Sequence, residues 1–378
     1  MKFVCSKSVL LQILNVVQKA VTTKSAMPIL DCIKIEASSD GTAIFTTNST
    51  EFCIEYKSNI TVNESGSIAL PSKIFGEIIR RLPEGEVEVS VKPDNYHTTI
   101  KCGSSEFSIQ GMSAEKFVAT PVVNEQYRLK VHQHELKKMI KKALPFISQI
   151  ETRKPVFTGA LFDVMNRELR VVATDSHRLA VIRSTVESSD ASHRFVIPGN
   201  NLSKISQILS DDEDAEVNLI MSENYVMFDF ANYQLYSRLL EGEFLKYEAL
   251  LATSNSIKIR VDKQSIIDSL ERANLIINDD MIGKTDNKMP AKLNITGSKV
   301  EISCQTSRGY VNDTVIVEHE GGDIVIGFNC RFMIDALNAC EDENVIMEFS
   351  APTSGCFIKP DDGSSKYTYM VLPVRLYN

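Results

Sequence analysis

Six residues in the middle of the chain, Thr174-Asp175-Ser176-His177-Arg178-Leu179, contain the side chains of a hydrolase. An Asp, a Ser and a His can act as orienting acid, nucleophile and base. Residues adjacent in a strand point to opposite faces, however, so three neighbours cannot assemble one triad. The other reading is a polar strand end whose side chains satisfy nearby backbone groups. The chain offers its own comparison, because Thr47-Asn48-Ser49-Thr50-Glu51-Phe52 stands 127 positions earlier. The Thr and the apolar sixth residue recur and read as structural, whereas Asp175, His177 and Arg178 are particular to the later copy.

Other candidates for chemistry are weaker. Gly283-Lys284-Thr285 resembles the end of a phosphate-binding loop, but Asn278 stands where that loop needs its first glycine. His132 and His134 have no Cys, Asp or Glu at metal-ligand spacing, so a capping or exposed role is expected. Asp211-Asp212-Glu213-Asp214 lacks calcium-ligand spacing and reads as a solvated loop. The eight cysteines never form a CxxC and lie in apolar patterns, as reduced core thiols of a cytoplasmic protein do. No catalytic residue, metal or cofactor is expected. Cationic residues are more telling. His134, Lys138, Lys141 and Lys142 oppose an apolar helical stripe, Arg153 and Lys154 follow in a loop, and Lys19, Lys24, Lys73, Arg80 and Arg81 belong to the earlier copy. Their recurrence in a chain of net charge −8 asks for an anionic partner on one face.

The elements that carry these residues repeat. An amphipathic helix is expected over Val4 to Val21, with Val9, Ile13 and Val16 on one face. Adding 127 gives Leu136, Ile140 and Ala143, and a further 130 gives Ile266, Leu270 and Ala273; each copy starts at a valine, Val4, Val131 or Val261. Thr47 and Thr174, Pro71 and Pro198, and Phe117 and Phe244 keep the same offset. Pro71 is expected in the first turn of a second helix, where its missing N–H costs nothing. Around these helices lie alternating strand segments such as IKIEAS, TAIFTTNSTEFCIEYKS and ELRVVATDSHRLAVIRS. Helices and strands do not alternate singly, so the fold class is α+β with mainly antiparallel sheets. Three similar domains are expected, at 1–122, 123–253 and 254–378.

A hydrophobic fraction of 43% with 24% charged residues is ordinary for a globular protein, and no apolar run is long enough to span a bilayer. Met1 to Leu10 shows no leader pattern, so a cytoplasmic location is expected.

Motifs along the whole chain resemble a known family. MKFVCSKSVLLQIL at the start, MPIL at Met27, LPSKIF at Leu70, ATDSHRLAV at Ala173, VIGFN at Val325 and MVLPVRL at Met370 are similar to the bacterial sliding clamps, the beta subunit of DNA polymerase III. The resemblance implies three similar domains, each with two helices packed on sheets, and two protomers closed head to tail into a ring around duplex DNA. It implies a processivity factor that tethers the replicative polymerase and is loaded by a clamp loader. The same pocket would serve other polymerases and repair proteins, and no membrane is involved. By the same resemblance, DNA contacts fall to Lys24, Lys73, Lys138, Lys141, Lys142, Arg153 and Lys154. A partner-peptide pocket falls to Phe157, Thr174, Ser176, His177, Arg178, Leu179, Leu245 and Leu250, with the terminal stretch Met370, Val371, Leu372, Pro373, Val374, Arg375 and Leu376. The subunit seam falls to Phe107, Leu275 and Ile276. The chain departs from the family pattern at Pro155 and Val156, where aromatic residues are frequent, at Leu245 in place of a proline, and in its Tyr377-Asn378 extension. Two other classes remain beside the clamp: a hydrolase-like enzyme using Asp175 or Ser176 with His177, and a protein scaffold that binds no DNA.

Overall fold

The computed structural model describes the chain except for residues 22–26, 151–153, 188–191, 281–288, 308 and 377–378. One element order occurs three times: a strand running into a helix, three antiparallel strands, a further strand, a second helix and three more strands; copies one and three each add one short strand, Thr61–Glu64 and Glu318–Glu320, ahead of the further strand. The helices are α1 (Lys7–Val17) and α2 (Ser72–Arg81), then α3 (Gln133–Ala143) and α4 (Gly199–Ile208). After the single turn α5 (Glu248–Leu251) come α6 (Lys263–Asp280) and α7 (Cys330–Asn338). The order is α+β, as expected.

The first helix begins later than its apolar pattern suggests. Val4 lies in the strand Lys2–Ser6, Val131 in Tyr127–His132 and Val261 in Ile257–Asp262, each with alternating burial that passes directly into the helix. Ser6 makes the switch in the first copy, its Oγ accepting from Val9 N at 3.3 Å. Pro71 and Pro198 likewise end the strands Gly66–Pro71 and His193–Pro198, and Pro71 is the N-cap of α2 where the first helical turn was expected.

The repeat offset also needs correcting. From Lys7 to Gln133, the first residues of α1 and α3, is 126 positions, one fewer than the sequence match. At 126 the buried faces coincide: Lys7, Leu10, Ile13, Leu14 and Val17 against Gln133, Leu136, Met139, Ile140 and Ala143. Val9 and Val16 are therefore only half-buried. One residue turns a helix by about 100°, so the difference decides which side chains face inward. The strands Thr42–Asn48 and Glu168–Thr174 also stand 126 apart, whereas α2 and α4 are 127 apart. The extra residue falls between Asn59 and Gly66 in copy one and between Thr185 and His193 in copy two. The step of 130 to the third copy holds in the helix, with Ile266, Leu270 and Ala273 all buried.

A latch recurs at the first residue of each first helix. Lys7 Nζ donates to Leu82 O at 2.7 Å, just past α2, and Lys263 Nζ to Cys340 O at 2.9 Å, just past α7. In the second copy Gln133 takes this place, donating to Glu216 O at 2.9 Å and accepting from Ser210 N at 2.9 Å. The two lysines satisfy carbonyls that a helix end leaves without partners, whereas Gln133 ties the segment after α4 to the strand Glu216–Met221.

The chain divides into two compact units: Met1–His134 with Lys204–Leu239, and Glu135–Ser203 with Leu240–Asn378. The first unit holds two antiparallel sheets. One runs Thr61–Glu64, Lys2–Ser6, Glu86–Val91, His97–Cys102, Ser105–Gln110; the other joins the last strands of copy two to copy one through Tyr233–Arg238 beside Phe52–Asn59. The second unit also holds two. A nine-stranded sheet joins copy three to copy two through Tyr367–Val371 beside Arg178–Thr185. A four-stranded sheet runs Tyr310–Ile316, Lys299–Gln305, Ala291–Thr296, Ile324–Phe328. No helix among the described residues is long and apolar enough to cross a membrane.

Candidate functional site

An apolar cavity of about 470 Å³ opens in the second unit where copies two and three share their sheet. Phe157, Leu179, Leu245, Leu250, Met370 and Leu372 make its walls, with Lys154, Thr174, Ser176 and Arg178 at its polar edge. The strand Arg178–Thr185 supplies Leu179, and its neighbour Tyr367–Val371 supplies Met370 directly opposite, in register. Below them Leu161, Val172, Val181, Val196 and Phe357 form the buried floor.

The Thr174–Arg178 turn is built by its own side chains. Thr174 Oγ1 donates to Arg178 O at 2.7 Å and accepts from Ser176 N, which lets Ser176 hold the left-handed φ of 76°. Asp175 Oδ1 accepts from the N–H groups of His177 and Arg178, both at 3.0 Å, and its Oδ2 accepts from Arg178 Nε at 2.9 Å. Arg178 donates further to Asp335 Oδ2 and to Pro145 O, both at 2.6 Å, and lies 4.4 Å from the centre of the Phe332 ring. The His177 imidazole stacks on that same ring at 5.9 Å. Asp175 thus serves backbone and guanidinium while His177 faces an aromatic ring, so Asp175, Ser176 and His177 do not assemble a catalytic relay. Of the cysteine thiols, burial pushes Cys5 and Cys32 up to about 11 and Cys53, Cys330 and Cys340 up to about 12, which keeps them protonated and poor nucleophiles. Among the described residues no three His, Cys, Asp or Glu side chains are grouped to hold a metal. Gly283-Lys284-Thr285 lies outside the described residues.

The terminal stretch divides. Met370 and Leu372 reach the cavity, but Val371 points to the opposite side of the strand and is fully buried. Leu372 N donates to His177 O, and Val374 N to Gly327 O, both at 2.8 Å. Pro373, Val374, Arg375 and Leu376 therefore do not line the cavity. A Cβ on Gly327 would stand 2.8 Å from both Val374 O and Leu376 Cδ2, so glycine is what lets this stretch lie against the strand edge.

The expected DNA-contacting residues are spread more widely. Lys24 and Arg153 lie outside the described residues. Lys73 on α2, with Lys138 and Lys141 on α3, is exposed. Lys138 is 3.6 Å from Glu135, and Lys142 pairs with Glu341 at 2.9 Å beside the Tyr367 ring. Lys154 stands over Phe157 at the cavity edge. At the expected seam, Phe107 lies on the outermost strand of its sheet and is 39% exposed; Leu275 on α6 is 71% exposed, and Ile276 is half-buried beside it.

Sequence reasoning missed the residues behind the cavity. Phe332, Asp335 and Pro145 hold Arg178, while Asp163, Arg194 and Tyr247 hold the wall that carries Leu245 and Leu250. The one signal for the second group was a lone Asp in the apolar strand Gly159–Met165, because a buried carboxylate demands a partner.

Comparison with known proteins agrees with this geometry over the whole chain. Residues 1–121, 130–246 and 248–375 match the N-terminal, central and C-terminal domains of the DNA polymerase III beta subunit family. Beta sliding clamps of Halalkalibacterium halodurans and Bacillus subtilis are 32% and 31% identical, each aligned over the full length of both chains. Crystal structures of a putative DNA polymerase III beta subunit from Eubacterium rectale (35% identity) and of the Bacillus subtilis sliding clamp (30%) both superpose with a TM-score of 0.92 over the full length of both chains. The fold and the sequence match thus extend over all three repeats, and this chain belongs to the DNA polymerase III beta subunit family, the non-catalytic sliding clamps of replication.

Proposed function

We propose that this chain closes with a second copy into a ring around duplex DNA and tethers the replicative polymerase to it as a processivity factor. The carrying observation is a pairing rule within the repeat. The last strand of copy two, Tyr233–Arg238, pairs with the fourth strand of copy one, Phe52–Asn59. The last strand of copy three, Tyr367–Val371, pairs with the fourth strand of copy two, Arg178–Thr185. By that rule the last strand of copy one, Ser105–Gln110, needs the fourth strand of a copy three, Tyr310–Ile316. Both are edge strands in their sheets, and Tyr310 and Ile316 are more than 70% exposed. An open edge is a template for another chain, and an unlike pair of edges joins molecules head to tail.

The register follows as well. Tyr233 faces Tyr56 and Tyr367 faces Ile182; carried through the repeat, Ser105 comes opposite Asp313 and Phe107 opposite Val311. Leu275 and Ile276 flank that edge on α6, whose Arg272 is bonded to Asp313 at 2.6 Å. Opposed residues in antiparallel strands have Cβ atoms about 4.5–5.5 Å apart. The pair Phe107→Cys and Val311→Cys should therefore cross-link between protomers on mild oxidation, with little background because the native cysteines are all buried. A chain that stays monomeric at micromolar concentration, or that cross-links only at other pairs, overturns the seam.

Three domains at 1–122, 123–253 and 254–378, acting in the cytoplasm, complete the reading. Lys24, Lys73, Lys138, Lys141, Lys142, Arg153 and Lys154 would meet phosphates without reading sequence, which permits sliding. The apolar cavity would take short peptides of the polymerase, the clamp loader and other polymerases and repair proteins, with a few anchors dominating affinity. Protein loaded on circular DNA should stay bound in moderate salt and be lost when the circle is linearised. Equal retention on both forms would mean that contacts, and not encirclement, hold it.

A further inference from the structure

The cavity wall bearing Leu245 and Leu250 has little stiffness of its own. Its backbone bonds close on near neighbours, Tyr247 N to Leu245 O, Leu250 N to Tyr247 O and Ala252 N to Glu248 O, and a single helical turn such as α5 is unstable by itself. What fastens it lies beneath. Tyr247 is fully buried among Leu161, Val172 and Val196, and its hydroxyl donates to Asp163 Oδ2 at 2.6 Å. Asp163 is itself 1% exposed, at the centre of the strand Gly159–Met165, with Arg170 and Arg194 directly opposite on the two flanking strands. Arg194 grips both carboxylate oxygens, Nε to Oδ1 at 3.0 Å and Nη2 to Oδ2 at 2.8 Å, and its Nη2 also meets Glu248. Residues 247 and 248 are therefore both anchored on one buried carboxylate. Strand alternation explains the arrangement: Leu161, Val172 and Val196 lie two residues from Asp163, Arg170 and Arg194 on the same face. Burial, with Asp163 next, pushes the Tyr247 phenol well above its ordinary range, so it stays a neutral donor.

We propose that Asp163, through Tyr247 and Arg194, is a positioning residue for the partner-peptide cavity, holding Leu245 and Leu250 in place before a peptide arrives. This rests on reading the cavity as a peptide site. A preformed wall saves the binding step the cost of ordering it, and its loss should appear mainly as faster dissociation.

Tyr247→Phe keeps the ring and removes the bond, so it is the variant to compare with Asp163→Asn, which risks the fold by removing the buried one of the two carboxylates that Arg194 pairs with. A fluorescein-labelled pentapeptide ending in two apolar residues, Leu-Phe, serves as the probe. Tyr247→Phe should weaken its binding about 5- to 20-fold, and by less than about twofold when Leu245→Ala and Leu250→Ala are already present, because coupled residues are non-additive. The amides of Leu250, Leu251 and Ala252 should exchange with solvent about tenfold faster. Unchanged exchange, or the same loss of affinity in the Leu245→Ala, Leu250→Ala background, overturns the proposal. Absence of peptide binding by the parent protein would instead remove the peptide reading, and the exchange rates would still decide whether Asp163 positions the wall.

Discussion

The hairpin turn after Asn48 in copy one and the turn after Thr174 in copy two occupy the same place in the repeat and have opposite fates. Both hold a non-glycine residue at left-handed φ, Thr50 at 73° and Ser176 at 76°. In both, the preceding polar side chain accepts from that residue's N–H, Asn48 Oδ1 at 2.8 Å and Thr174 Oγ1 at 3.2 Å. Asn48 has an amide left over, and its Nδ2 donates to Val118 O and Ala119 O, drawing the chain's own connection across the turn. Thr174 spends its single hydroxyl on Arg178 O, and the apolar ground beside it stays open as the cavity. The position four residues on inverts too. Phe52 in copy one is buried with Lys204 5.2 Å from its ring centre, whereas Arg178 in copy two is bonded to Asp335, the α7 counterpart of Lys204. A repeated scaffold thus becomes a closed joint or a binding site through two side chains, without any change in its strands.

That contrast can be broken from either side. Phe52→Ala should have the largest effect on stability, about 3–5 kcal/mol, because it empties a fully buried ring site; calorimetry should show the loss while peptide affinity stays as it was. A parallel loss of peptide binding would mean that the two turns are not independent. Arg178→Ala should cost about 2–4 kcal/mol, near the lower end for a broken buried pair because Asp335 keeps partial access to water. Unlike Phe52→Ala it should also remove peptide binding, since the turn loses its tie to α7. Asn48→Ala should cost about 1–2 kcal/mol, read out as faster proteolytic cleavage within residues 118–122; cleavage at the parental rate would show that something else holds the connection. Leu250→Ala should be the mildest for stability, under about 1 kcal/mol at a half-buried position, yet weaken the peptide about tenfold. Titration by fluorescence anisotropy separates these two readouts.

Much of the cavity was legible because it rests on short-range pattern. The TDSHRL stretch stood out as the polar exception in a repeating strand, and Phe157, Leu179, Leu245, Leu250 and Met370 were apolar residues placed by the family resemblance. His177 and Val371 do not line the cavity, for reasons set by tertiary packing: the imidazole stacks on Phe332, and the Val371 side chain lies on the other side of its strand. Asp163 and Tyr247 escaped because their partnership joins residues 84 apart in sequence.

By itself the sequence determined that one α+β unit is used three times, since apolar periodicity in helices and strands is a local property that survives without knowledge of neighbours. It could not determine the offset, because 126 and 127 both match well by residue type and differ only in which way a helix faces the core. Nor could it assign which copies share sheets. Strand pairing is a contact between distant segments, each able to hydrogen-bond any edge, and it is selected by the packing of whole faces. That selection placed Tyr233 beside Tyr56 and Tyr367 beside Ile182. It left the strands Ser105–Gln110 and Tyr310–Ile316 at the edges of their sheets.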